Sequence, residues 1–529
     1  MNAEELRKKV AEKVLSHDYT EGPLLVLAGP GTGKTYSLIE TIKRQIDNGL
    51  TIVDFYTATL TNSSARDFEE EVQNKIDTSF DQVSTLHYRA KGIVHKYADR
   101  VSLQKSFRIL TDAETEVVLE DIRQDFNALG KQLAKREAKE SLKDYRETVA
   151  NLKAMESEFY KMYAAYQKFY NALGWFDVVT LACRILCEND DIRNAESATC
   201  SFILIDEYQD LNPADQEFIR LLCNGRSTFL VVGDDDQSIY SGRYAEPSGI
   251  VDFVKVYPTA TKLSLPVCSR SPSTVLDAAY RLIERNQTRK KKPPLVPLFE
   301  TERRTKGGMV CSVKLKSAKE EAEFLANALC TLISVGVPVK EIMVLCANRQ
   351  LGLKLLEDVR SKDSGLPLQD SLTRQEENAE VVEYLVRFIC NHSDNMALRI
   401  LLSRLIGLNS VKISKIRRLA MSGCSTLWDA IHVPQSIDIM KSAKKKTDIF
   451  LSTVSETEGL EKADALRRFA ERYPEITENV ENRIAKSTWS QEPSDIEQRI
   501  SQRESINGIR FMTLHFSKGL VLCQSLYDG

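Results

Sequence analysis

The chain has 11 cysteines but no CxxC pair, and the closest two, Cys183 and Cys187, are spaced for one face of a helix rather than for a zinc knuckle. Free thiols in a reducing cytoplasm are expected. No apolar run approaches the ~20 residues that span a bilayer, and the opening MNAEELRKKV has no apolar signal core, so the sequence predicts a soluble, cytoplasmic protein with no membrane partner. Internal repeats and low-complexity tracts are also missing. Charge of one sign does not dominate: 72 basic residues stand against 75 acidic ones, for a formal net charge of -3. A polyanion would have to be met by local patches rather than by a global field. At 529 residues the chain is too long for one ordinary core, and domain-size rules suggest roughly three or four lobes.

Short β-rich runs occur at Leu24 to Ala28, Phe55 to Thr59, Val83 to His87, Phe202 to Asp206 and Phe229 to Gly233, with helical patterns between them. Most are continuously apolar, which points to a buried, largely parallel sheet whose ligands gather beyond the carboxyl ends of the strands. From Asp112 to about Ala172 the sequence turns charged and helical, and it reads as an inserted lobe. Within it Phe159, Tyr163, Tyr166 and Tyr170 recur at helical spacing. They could stack on bases, but a core-facing stripe is the favoured reading. A second sheet is expected to start near Leu263, to include Ile342 to Cys346 and to resume at Ile509 to His515, with the helical stretch from about Arg374 to Glu504 as a second insertion. The basic runs Arg289 to Lys292 and Lys444 to Lys446 read as solvated faces, with phosphate contact as the sharper alternative.

After the first strand comes AGPGTGKT: Ala28, Gly29, Pro30, Gly31, Thr32, Gly33, Lys34 and Thr35. This is the phosphate-binding loop pattern GxxxxGK[ST] with alanine in the first glycine position. Its glycines let backbone amides face phosphate, Lys34 reaches the β and γ oxygens, and Thr35 supplies a Mg²⁺ ligand. The fourth strand delivers Asp206 and Glu207 in IDEYQD. A carboxylate at the end of a buried strand is costly unless it holds something. Asp206 is placed to hold Mg²⁺, and Glu207 to polarise an attacking water.

The runs DEYQDLNPADQEFI and VVGDDDQSIY resemble motifs II and III of the UvrD/Rep/PcrA-like helicases of superfamily 1. Further matches follow in family order: TLTNSSARDF (Thr59 to Phe68) is similar to motif Ia, STLH (Ser84 to His87) to the next DNA-contacting segment, and MTLHFSKGL (Met512 to Leu520) to motif V. The resemblance implies an α/β fold of two RecA-like parallel-sheet P-loop domains, each with a mainly helical insertion. The expected boundaries are 1–92 with 196–262 for the first domain, 93–195 for its insertion, 263–373 with 505–529 for an apparently incomplete second domain, and 374–504 for the second insertion. It implies ATP, with other nucleoside triphosphates open, and Mg²⁺ as cofactors. Gln237 would sense the γ-phosphate, Arg270 in LPVCSRS would reach it from the second sheet, and Gly519 of motif V would lie on the nucleotide side. Thr61, Asn62, Thr85, His87, Arg243, Thr513 and His515 fall in segments that line a single-strand path, where hydroxyl, amide and imidazole groups bind phosphate and sugar without reading sequence.

Several family features have no counterpart. The upstream glutamine is missing, Tyr36 stands where an arginine follows the P-loop, Ser269 replaces a tyrosine before Arg270, and Val521 stands near the ribose glutamate position. The base-reading half of the nucleotide site is therefore altered while the phosphate half is complete. Loose nucleotide choice is expected, with Tyr36 as a stacking face. Gly242 replaces a base-stacking aromatic, although Tyr244 lies two residues on. No motif VI arginine occurs before Gly529, so rapid turnover is expected to need a longer native chain or a partner.

Two functions are carried forward. The first is an ATP-dependent translocase and 3′ to 5′ helicase acting on single-stranded and duplex DNA, with Lys34, Asp206, Glu207, Gln237 and Arg270 as its catalytic set. RNA stays open, because stacking and phosphate contacts serve both polymers. The alternative is a degenerate helicase acting as a nucleotide-gated nucleic-acid-binding subunit, beside a nuclease or another protein, with weak turnover.

Overall fold

A strand buried on both faces cannot alternate apolar with polar residues, and LLVLA, FYTAT, FILI and FLVVG do not. In a computed structural model, which describes residues 2–76, 79–154, 156–240, 242, 244–286, 292–298, 310–372, 381–423, 426–485 and 508–514, these become strands β1 (Leu24–Ala28), β2 (Phe55–Thr59), β4 (Phe202–Ile205) and β5 (Phe229–Gly233). With β3 (Val83–Thr85) and β6 (Thr261–Leu265) they form one parallel sheet in the order β3-β2-β4-β5-β1-β6. Alternate residues serve opposite faces. Leu25, Leu27, Ile203, Ile205 and Val231 pack with the helices Leu86–Lys96, Trp175–Glu188 and Pro213–Cys223, whereas Leu24, Val26, Leu204, Leu230 and Val232 pack with Lys34–Asp47 and Asn62–Ile76.

Two details differ from the sequence reading. The third strand ends at Thr85 rather than His87, because the Thr85 hydroxyl accepts the Tyr88 amide and caps the next helix. Leu263 lies in β6 of the first sheet, beside β1, and not in the second sheet. TKLSL alternates because it is an edge strand with one face half exposed, so it lacks the continuous apolar signature of its neighbours.

The second sheet is also parallel. Strands β7 (Met343–Cys346), β8 (Leu368–Asp370) and β9 (Ile509–Thr513) are arranged β7-β9-β8 over the helices Ala318–Ser334 and Arg349–Lys362. The fold is thus α/β with two RecA-like layers. A two-strand ribbon, Val267–Cys268 with Val296–Pro297, lies between them in the chain.

The stretch from Asp112 to Tyr170 forms three helices, Asp112–Ala128, Lys135–Ala150 and Glu158–Tyr170. Phe159, Tyr163, Tyr166 and Tyr170 are buried, so the stripe is core. That core is shared: one apolar cluster joins Val118, Ile122 and Leu142 to Leu385, Leu401, Ile416 and Phe469 of the second helical stretch. Ion pairs cross the same boundary. Asp121, fully buried, pairs with Arg399 at 2.9 Å and Arg417 at 2.7 Å, and Arg417 also reaches Asp125 at 2.7 Å. Tyr170 and Tyr166 donate their hydroxyls to Asp121 and Asp125. Lys444, Lys445 and Lys446 are exposed on a helix, as expected. Among the described residues no helix is long and apolar enough to cross a membrane.

Candidate functional site

Parallel strands all end on one side, and here those ends carry the loop 29–33, Thr61, Thr85, Asp206 and Asp234. Because β1 lies beside β5, and β5 beside β4, the P-loop stands near the carboxylates that follow β5 and β4. Gly31 and Gly33 take φ of +69° and +96°, a region that L side chains rarely adopt. A Cβ at Gly31 would also sit 2.5 Å from the Arg270 Cβ and 2.9 Å from Cys268 Sγ. Gly33 caps the helix Lys34–Asp47 without a side-chain hydrogen bond, so its first-turn amides are not taken by a capping side chain.

Lys34 Nζ lies 2.8 Å from Glu207 Oε1. Burial alone would push this ammonium down, but Glu207, then Asp206 and Asp234, hold it above its usual value. Glu207 itself sits at φ +52°, and its amide donates to Asp206 Oδ1 at 2.8 Å. The bend turns both carboxylates toward the loop. Gln209, fully buried, continues the chain of contacts: its Nε2 donates to Glu207 Oε2 at 2.6 Å and its Oε1 accepts the Asp234 amide at 2.8 Å. Asp234 Oδ2 then accepts Gln237 Nε2 at 2.8 Å. Gly233 is small where it must be, since a Cβ there would lie 2.5 Å from Gln209 Oε1.

Arg270 is brought to the P-loop by the ribbon rather than by the second sheet, and the Ser269 amide and hydroxyl both donate to the Gly31 carbonyl, at 2.9 and 3.1 Å. Serine here fastens the loop. Tyr36 is 44% exposed, with Lys75 Nζ 4.3 Å from its ring centre.

On the opposite side of the motif III turn, Thr61 and Asn62 start the helix after β2, where the Thr61 hydroxyl accepts the Ser64 amide. His87 stacks on Trp175 with ring centres 4.6 Å apart and planes 9° apart. Tyr244 meets Phe176 edge-on at 5.3 Å and donates its hydroxyl to the Lys143 carbonyl at 2.9 Å. Beneath these rings Asp177 accepts from Tyr145 at 2.5 Å and from Gln167 at 2.6 Å, and burial pushes its carboxyl up to about 6. Thr513 ends β9. Arg243, His515 and Gly519 lie outside the described residues.

Sequence reasoning passed over four residues. Gln209 sits inside a quoted motif, two positions after Glu207, where alternation on a short turn could have pointed it back. Trp175 and Phe176 carry no local signal beyond being aromatic. Lys292 falls in a basic run whose expected place is a solvated face, yet its side chain is 19% exposed and its ammonium meets Asp234, Asp235 and Asp236.

Residues 8–258 match the model of the UvrD/REP helicase N-terminal domain, and residues 264–503 that of the UvrD-like helicase C-terminal domain. The ATP-dependent DNA helicase PcrA of Staphylococcus aureus (strain Mu50) is 25% identical over 95% of this chain and 74% of its own length. Its namesake from Staphylococcus epidermidis (strain ATCC 12228) is 26% identical over 94% of this chain and 68% of its own.

Proposed function

We propose, from the premise that this chain belongs to the UvrD-like helicase family, that it is an ATP-dependent motor that moves along single-stranded DNA and separates duplex strands. The observation that carries the reading is the unbroken set of contacts from Lys34 through Glu207 and Gln209 to Asp234 and Gln237. A phosphate-binding lysine, a carboxylate pair and a glutamine joined in this way form the constellation that phosphoryl transfer to water requires.

The residues fit a nucleoside triphosphate and its cation. Left-handed glycines, an uncapped helix start and a half-buried lysine suit polyphosphate, and Thr35 with Asp206 offers oxygen donors to Mg²⁺. Bound Mg²⁺ supplies charge neutralisation at the phosphates. Glu207 is placed to take a proton from water, while Lys34 and Arg270 would hold phosphate charge from the loop and from the ribbon. Gln237 projects from the turn that continues toward Tyr244. Movement of that turn would link the nucleotide cleft to the His87, Trp175 and Phe176 rings, on which bases of any sequence can stack.

The domain limits given above, with the first domain carried on through β6 to Leu265, 3′ to 5′ polarity and the roles of Arg243, Thr513, His515 and Gly519 are part of the same proposal and rest on family resemblance. The test measures ATP hydrolysis with single-stranded DNA, single-stranded RNA or no polymer, followed by unwinding of duplexes bearing a 3′ or a 5′ tail. Hydrolysis stimulated by DNA and unwinding from the 3′ tail are expected. Hydrolysis unmoved by any polymer would sink the motor reading.

A further inference from the structure

Lys292 is the residue whose environment departs furthest from its sequence setting. It belongs to a run of four basic residues, yet its ammonium is turned inward onto three consecutive carboxylates: Asp234, Asp235 at 2.5 Å and Asp236 at 3.1 Å. Burial would push this ammonium down, but Asp234 foremost, then Asp235, holds it above its usual value, so it stays charged at neutral pH.

Three like charges on successive residues repel, and a nearby cation offsets that repulsion most where the groups are withdrawn from water. The turn they form is short. Asp235–Gln237 is a single 3₁₀ turn, capped by Asp234, whose Oδ1 accepts the Asp236 amide at 3.2 Å. One Asp234 oxygen therefore faces Lys292, and the other receives Gln237 Nε2. Through its amide the same aspartate holds Gln209, which holds Glu207.

The lysine also comes from elsewhere in the fold. It follows the helix Ser273–Ile283 and precedes Leu295, whose Cδ1 would lie 2.8 Å from a Cβ at Gly29. Val296–Pro297 then pair with Val267–Cys268, which leads to Arg270 at Gly31. One ribbon thus touches the P-loop at Gly29 and Gly31 and the motif III turn at Asp234.

We infer that Lys292 is a positioning residue for hydrolysis: it fixes the turn Asp234–Gln237, so that the orientation of Gln237 and, through Gln209, of Glu207 depends on where the ribbon lies. The inference rests on the motor reading above. The test compares kcat and KM for ATP, at saturating single-stranded DNA, among the wild type, K292M and K292R. K292M is expected to lower kcat by about tenfold or more while KM moves by less than about twofold, and K292R, which keeps the cation, to recover most of the loss. Should K292M fail to melt cooperatively, the double variant D235N/K292M, which removes one charge of each sign, is judged by the same criteria. A raised KM at unchanged kcat would show that Lys292 grips nucleotide instead of the turn, and unchanged values of both would make it a solvated lysine; either overturns the inference alone. A wild-type chain without hydrolysis overturns the motor reading and this inference with it.

Discussion

Lys34 and Glu207 are partners at 2.8 Å, so a change at either leaves the other's charge poorly compensated in a partly buried place. The two variants nonetheless separate. Lys34→Ala removes the cation for the β and γ phosphates, and Glu207→Gln leaves that cation in place but removes the group that activates water. A loss of about 10²-fold or more in hydrolysis is expected from each, with nucleotide binding kept only in Glu207→Gln, as a fluorescent nucleotide titration will show. Near-normal turnover in Glu207→Gln would reassign that carboxylate. Base choice is a second residue-scale matter. Ser269 spends its hydroxyl on Gly31, and Tyr36 offers a half-exposed ring that any base can stack on, so affinities for ATP, GTP and CTP should lie within about tenfold of one another. A strong preference for ATP would show that other residues read adenine. At Gly242 an added Cβ meets nothing within 4 Å, whereas Tyr244 is already engaged with Phe176 and Lys143. Gly242→Trp should therefore tighten single-strand binding by about 1 to 3 kcal/mol, measured by anisotropy of a labelled oligonucleotide. No gain would place the strand elsewhere.

Strands and helices were legible to the extent that their environments are uniform. β1, β2, β4 and β5 are buried on both faces and announce themselves as apolar runs, while β6 is an edge and hides in a polar alternation. The P-loop and the Asp206–Glu207 pair were legible because local chemistry fixes their spacing. Lys292 was not, since Asp234 lies 58 residues away, and Gln209 was legible only toward Glu207, two residues off, because its other partner, Asp234, lies 25 residues away and only the folded sheet edge brings them together. Long-range pairing also governs the helical insertions. Glu114 completes the capping box at Thr111 and receives Arg387 at 2.8 Å, while Asp394 meets the same guanidinium at 3.0 Å. Burial would raise both carboxyls, but Arg387 and then Arg108 hold them below their usual values. A carboxylate whose folded pKa is depressed stabilises the fold above its unfolded pKa and loses that contribution as pH falls through the folded one. Melting temperature should thus drop steeply below about pH 4, and Glu114→Gln should flatten that drop. Asp177 works in the opposite direction. Its pKa is raised to about 6, so the folded state binds the extra proton and stability falls as pH rises from its unfolded value through 6. An acid limb identical in Glu114→Gln and wild type would remove Glu114 from this account.

At the scale of the whole molecule, two helical stretches inserted into different sheets share one core and a buried set of charges. They should unfold as one block. Arg417→Met strips Asp121 and Asp125 of a common partner and is expected to cost about 3 to 5 kcal/mol, lowering hydrogen-exchange protection in both stretches together. Loss of protection in 410–423 alone would show two separate bodies. The same pairing also sets an order of events during synthesis. Asp121 is separated by 278 residues from Arg399 and by 296 from Arg417. At about 5 to 20 residues per second, a ribosome needs on the order of 15 to 60 seconds to deliver those arginines after Asp121 has been made. Until then the nascent first insertion holds carboxylates and tyrosine hydroxyls that have no arginine to close over them, so its maturation is timed by translation and not by its own helices.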